Sequence, residues 1–104
     1  MVEVMKSVEE FDRTLQENDV VLADFFATWC GPCKMLSPVV EKVSEKHPEI
    51  KFVKADVDAL SELASRYGIA SIPTLIVFRN GEKVNQGLGF MPEARIEELF
   101  AAAK

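Results

Sequence analysis

Apolar and polar positions along the chain follow two rhythms, one of period two and one near 3.6, and their order lays out the elements. Residues 2–5 form a short apolar strand. Ser7-Val8-Glu9-Glu10 has the S-x-x-E form of a capping box, and Val8, Phe11 and Leu15 follow at helical spacing. This predicts a helix over residues 7–17, ended by Asn18-Asp19. Residues 20–27 are apolar on both faces except at Asp24, the pattern of a central strand covered from both sides. Beyond Cys30-Gly31-Pro32-Cys33, the residues Met35, Leu36, Val39, Val40 and Val43 mark one face of a second helix, with Glu41, Lys42, Glu45 and Lys46 on the other. Pro38 lies inside that helix and predicts a bend. Residues 50–57 alternate as a third strand, and Leu60, Leu63, Ala64 and Tyr67 make a short helix stopped at Gly68. Residues 74–78 and 83–88 are strands joined around Asn80-Gly81, a strong hairpin signal. Pro92, Ile96, Leu99 and Phe100 give a last amphipathic helix that reaches the alanine-rich tail and Lys104.

The order β-α-β-α-β-α-β-β-α predicts an α/β fold, a mixed sheet between helix layers. Its early strands are parallel through helical crossovers and its last two antiparallel through the hairpin. No repeat or linker divides the chain, so a single domain over residues 1–104 is expected. In such sheets chemistry gathers where strands end and helices begin. Cys30 falls at that junction, after the central strand.

Composition narrows the function. A chain of 104 residues, 48% hydrophobic, can bury one core without disulfide staples or a structural metal. Twelve Lys and Arg face 17 Asp and Glu, a formal charge of −5. No basic run exists to displace counterions from phosphates, which excludes nucleic acid as a primary partner. The first residues lack a basic and then apolar leader, and no apolar run approaches the ~20 residues of a membrane span. The expectation is an intracellular protein with no membrane partner.

Cys30 and Cys33 are the two cysteines. A bridge closing so short a loop contributes about 2 kcal/mol, little for a staple, so the spacing points to chemistry instead. At the amino end of the second helix, free N–H groups and the helix dipole favour a thiolate at Cys30. A thiol pKa lowered from ~8.5 to ~7 raises the thiolate fraction at pH 7 about sixteenfold, and it makes Cys30 a better leaving group in thiol-disulfide exchange. Cys33, one turn deeper, is expected to be more shielded and to stay a thiol until something takes its proton. Asp24 shares a strand face with Val20, Leu22 and Phe26, where a carboxylate is costly to ionise. Its raised pKa would suit proton exchange with Cys33, with Lys54 in the neighbouring strand moderating the shift. The alternative makes Asp24 and Lys54 a buried structural ion pair, and both readings stay open.

The stretch Ala23-Asp24-Phe25-Phe26-Ala27-Thr28-Trp29-Cys30-Gly31-Pro32-Cys33-Lys34-Met35, with Pro38, Ile72-Pro73-Thr74-Leu75 and Asn80-Gly81, resembles the thioredoxin family over essentially the whole chain. W-C-G-P-C-K after a strand ending in D-F-x-A makes the likeness specific. The resemblance implies the thioredoxin-like fold, a central mixed five-stranded sheet flanked by four helices. It also implies a monomeric general protein disulfide reductase that needs no cofactor or metal beyond its own cysteine pair. By that likeness Cys30 is the nucleophile, Cys33 resolves, Asp24 accepts the proton and Lys54 is its neighbour. A thiol pKa of ~7 and a potential of ~−270 mV are values of thioredoxin itself and come only with the resemblance. Trp29, Gly31, Pro32, Ile72, Pro73, Gly89 and Phe90 become the substrate-binding rim, with Ile72-Pro73 as a cis-proline loop whose backbone pairs with an extended substrate strand. From the residues alone, Pro73 reads as a plain turn, and an ordinary core place is the competing view for Trp29. The partners implied are disulfide-containing proteins and thioredoxin reductase, in the cytoplasm. Phe26 departs from the pattern, since many members carry tryptophan there, whereas Gly31-Pro32 keeps the pattern of reducing members.

Two rivals are weaker. C-x-x-C also begins many zinc sites, but the chain offers no second pair and one histidine, His47, expected on the solvated surface beside Pro48. A non-catalytic adaptor would leave Asp24, both cysteines and Trp29 without a physical reason.

Overall fold

The computed structural model describes residues 1–103, and the elements follow the predicted order. They are β1 (Glu3–Val4), α1 (Val8–Glu17), β2 (Val20–Phe26), α2 (Gly31–Lys46), β3 (Lys51–Asp56), α3 (Ser61–Arg66), β4 (Thr74–Arg79), β5 (Glu82–Leu88) and α4 (Glu93–Ala101). Lys104, where the last helix was expected to end, lies outside the described residues. Ser7 caps α1 by accepting the Glu10 N–H at 3.0 Å. The Glu10 carboxylate reaches back to the Lys6 N–H at 2.6 Å, one residue before the cap, so the box closes one position wider than its usual form.

The five strands lie in the order β1-β3-β2-β4-β5. β1, β3 and β2 are parallel, and β4 pairs antiparallel with both β2 and β5. β4 starts at the end of the sheet where β3 finished, with Thr74 opposite Phe25.

Alternation along β2 divides the core as its apolar run predicts. Val20 and Leu22 pack with Leu36, Val40 and Val43 of α2 and with Ile96, Leu99 and Phe100 of α4. Val21, Ala23 and Phe25 face the other layer, with Phe11 and Leu15 of α1 and Leu63 of α3. Phe11, Phe25, Tyr67 and Phe78 meet there as tilted and edge-on rings. By the same alternation, Asp24 lies on the α2 side of the sheet.

Two expectations fail at the surface of α2. Met35 is 64% exposed, because the buried seam of α2 runs through Cys33, Leu36, Val40, Val43 and Ser44 and Met35 lies a turn of about 100° away from Leu36. His47 is not a solvated surface residue. Its side chain is 19% exposed, with Nε2 2.8 Å from Glu97, Nδ1 3.1 Å from Glu49, and the ring edge-on to Phe100. It joins the end of α2 to α4. The helix itself runs unbroken from Gly31–Lys46 through Pro38.

At the hairpin, Asn80 (φ 52°) and Gly81 (φ 84°) are both left-handed, the type I′ geometry that matches strand twist. Nothing lies within 4 Å of where a Gly81 Cβ would stand, so only the backbone resists a side chain there. Gly81→Ala is expected to lower the unfolding free energy in urea by about 1 kcal/mol with activity unchanged. An unaltered unfolding midpoint would mean that the turn can leave this geometry without cost.

Candidate active site

β2 delivers the chain to Ala27, and three residues later Cys30 is the N-cap of α2. Cys30 Sγ accepts the backbone N–H of Cys33 at 3.1 Å, a place that a serine or aspartate oxygen usually fills. Pro32 stands in the first turn, where a helix has no use for its missing N–H. Positions three apart share a helix face, and Cys30 and Cys33 are joined there as a disulfide with Cα atoms 5.3 Å apart. The expected contrast in shielding is absent in this form, since Cys30 is 4% and Cys33 5% exposed. Ala27, Phe26, Val57 and Ile72 pack against the pair.

The Ile72-Pro73 peptide is cis, so Pro73 is not a plain turn. The Ile72 carbonyl oxygen lies 3.9 Å from Cys30 Sγ. Gly89, at φ 79°, donates its N–H to the Pro73 carbonyl at 2.8 Å, which brings the end of β5 against the loop and places half-exposed Phe90 beside it. Trp29 is 69% exposed and is not core. Its Nε1–H donates to Asp58 Oδ2 at 2.8 Å. Asp58 was not anticipated, although the Asp56-Val57-Asp58 spacing carried a signal. Asp56 Oδ1 accepts the N–H groups of Asp58 and Ala59, an Asx turn that presents Asp58 to the indole. Gly31 and Pro32 are exposed next to the disulfide.

Asp24 is 2% exposed, with Lys54 opposite on β3 and Leu75 opposite on β4. Its Oδ1 has no hydrogen-bond partner. Burial pushes the carboxyl up from its ordinary 3.8 to about 6, against the opposing pull of the Lys54 charge. The buried ion pair considered for Asp24 and Lys54 does not form. The Lys54 ammonium donates instead to Ser37 Oγ at 3.2 Å and stands 4.6 Å from the centre of the Phe26 ring. Phe26, Cys33, Ser37 and Lys54 line one pocket of about 630 Å³. Among the described residues, no group of three or more His, Cys, Asp or Glu is placed to hold a metal ion.

A reactive pair at a strand-to-helix junction, opposite a cis-proline loop and backed by a buried acid, has a counterpart among known proteins. The family model described as Thioredoxin matches residues 2–102. The chain belongs to the thioredoxin family. It is 43% identical over 102 residues to thioredoxin-1 of Saccharomyces cerevisiae, covering 98% of each chain. The structure of Fasciola hepatica thioredoxin superposes with a TM-score of 0.92 at 31% identity, covering 99% of this chain and 100% of that one. A third neighbour has a TM-score of 0.88 at 30% identity, over 96% of this chain and 94% of that one. It concerns the thiol-resolving mechanism in yeast mitochondrial 1-Cys peroxiredoxin via glutathione/thioredoxin systems. The fold is the thioredoxin fold, and the protein is a thiol-disulfide oxidoreductase whose redox centre is the Cys30–Cys33 disulfide. Thioredoxins act on disulfide substrates and need no external cofactor, because the electrons travel on the cysteine pair. No helix among the described residues is long and apolar enough to cross a membrane.

Proposed function

We propose that the chain is a general protein disulfide reductase acting as a single domain over residues 1–104, monomeric and cytoplasmic. The observation that carries this reading is the position of Cys30 Sγ as the cap of α2, accepting the Cys33 N–H at 3.1 Å. That bond, with the helix dipole, favours the thiolate over the thiol once the pair is reduced. The Cys30 thiolate attacks one sulfur of a substrate disulfide, forming a mixed disulfide and releasing the other substrate sulfur as a thiolate. Cys33 then gives its proton to Asp24 and attacks Cys30 Sγ. The Cys30–Cys33 bond closes and the second substrate sulfur leaves as a thiolate, so the dithiol is oxidised by two electrons and the substrate disulfide is reduced by two. Lys54 modulates Asp24 from across the strand pair.

The substrate lies over the exposed rim of Trp29, Gly31, Pro32 and Phe90, with the backbone of Ile72 pairing to its extended chain between Pro73 and Gly89. Thioredoxin reductase returns the pair to the dithiol. The low thiol pKa serves Cys30 again there, because Cys30 is the leaving sulfur when the reductase closes its own disulfide. The test is reduction of insulin by the dithiothreitol-reduced protein, together with a redox titration against glutathione. Turnover with a potential near the ~−270 mV of thioredoxin itself, a family value and not a consequence of this geometry, supports a reductase. A potential far toward oxidising makes the protein a disulfide donor, and intact thiols with no turnover make it an adaptor.

A further inference from the structure

Lys54 and Asp24 sit directly opposite each other across the parallel β2–β3 pair, which leaves a lysine side chain free to reach the carboxylate. The ammonium goes elsewhere. Ser37 Oγ accepts from it at 3.2 Å, and the Phe26 ring lies 4.6 Å away, a cation–π distance. Asp24 meanwhile keeps an oxygen with no hydrogen-bond partner. A cation beside a buried, unsatisfied carboxylate is drawn to it strongly in a low-dielectric setting, so the holding groups must offset that attraction. The pocket of about 630 Å³ shared by Ser37, Lys54, Phe26 and Cys33 gives the ammonium room to move. The other charged groups on that pocket wall are Lys34 and Glu41 of α2. β4 places Leu75 opposite Asp24, and α4 contributes Ile96, Leu99 and Phe100 to this side of the core. Of these three charges, Lys54 is the one that stands opposite Asp24 across the strands.

We propose that Ser37 is a positioning residue for the exchange reaction: its hydroxyl anchors the Lys54 ammonium away from Asp24, which keeps the buried carboxyl able to take and return a proton near neutral pH. This rests on the reading of Asp24 as the acceptor of the Cys33 proton. Ser37 stands one helical turn beyond Cys33 on α2, half-buried, so a change there leaves the disulfide and its cap in place. Without the hydroxyl the ammonium swings to the free oxygen of Asp24 and stabilises the ionised form.

The experiment follows the Asp24 carboxyl by carbon-13 NMR in the wild type, Ser37→Ala and Ser37→Thr, and again with Lys54→Met in each. The pH profile of the resolving step is measured in single turnover for the same set. In Ser37→Ala the Asp24 midpoint is expected to fall by about one pH unit, as when an opposite charge comes within about 4–6 Å, and the resolving profile should move with it. Ser37→Thr should restore both, and in the Lys54→Met background Ser37→Ala should move neither. An unmoved Asp24 midpoint in Ser37→Ala, or a fall that persists without Lys54, overturns the anchoring. A midpoint that falls while the resolving profile stays put overturns the role of Asp24 as acceptor, and with it the part of Ser37 in the reaction.

Discussion

Reduced Cys33→Ser protein mixed with insulin is expected to stop at a covalent adduct through Cys30, visible as a shifted band on a non-reducing gel and as an added mass. Cys30→Ser should form none. The asymmetry comes from the first turn of α2. A serine at position 33 keeps the backbone N–H that bonds Cys30 Sγ at 3.1 Å, so the attacking thiolate keeps its cap and only the resolving sulfur is lost. A serine at position 30 replaces the nucleophile with a hydroxyl that stays protonated near neutral pH and cannot form a stable mixed disulfide. Steady-state turnover should fall on the order of 10³-fold or more in both variants, because each step depends on the other. An adduct recovered through Cys33 in the Cys30→Ser protein, and none in the other, would reverse the assigned roles.

Asp24→Asn should gain stability relative to wild type as pH rises and impair the chemistry. The folded protein holds this proton more tightly than the unfolded chain, about 6 against 3.8, because burial penalises the charged form. Stability therefore falls as pH rises between those values, and above about 6 the whole penalty persists. A gap of about two pH units at about 1.4 kcal/mol each gives about 3 kcal/mol. Asparagine has no charge to bury. Its stability relative to wild type in urea unfolding should rise by about 2.4 kcal/mol from pH ~4 to pH ~8, a comparison across pH in which the new amide cancels. The same substitution should slow the resolving step near neutral pH on the order of 10²-fold while leaving the first attack nearly intact. A stability difference independent of pH would mean that Asp24 ionises as easily folded as unfolded, and equal slowing of both steps would remove it as the proton acceptor.

What could be read from sequence was whatever backbone periodicity and local chemistry decide. The run over residues 20–27 showed a strand covered on both faces, and the packing of Val20 and Leu22 on one side with Val21 and Phe25 on the other is its direct expression. Ser7, Asn80-Gly81 and the cysteine spacing are local signals of the same kind. The direction of β4 depended on which end of the sheet the chain reaches after α3, which a list of elements does not fix. Side chains with several possible partners were harder still. Lys54 could reach Asp24, Ser37 or Phe26, and only the assembled pocket selects the last two. His47 and Asp58 found partners about 50 and 29 residues away, at Glu97 and Trp29, beyond any local pattern. Met35 shares a helix with the buried seam but not its face.

Most helix caps are hydroxyls or carboxylates that do nothing else. At Cys30 the capping atom is the reacting atom, so every change of bonding at that sulfur alters the electron density to which the Cys33 amide is bonded. The chemical shift of an amide proton follows the acceptor it faces. One backbone resonance, that of Cys33, therefore distinguishes dithiol, mixed disulfide and closed pair in solution, and the enzyme carries its own spectroscopic reporter without a label.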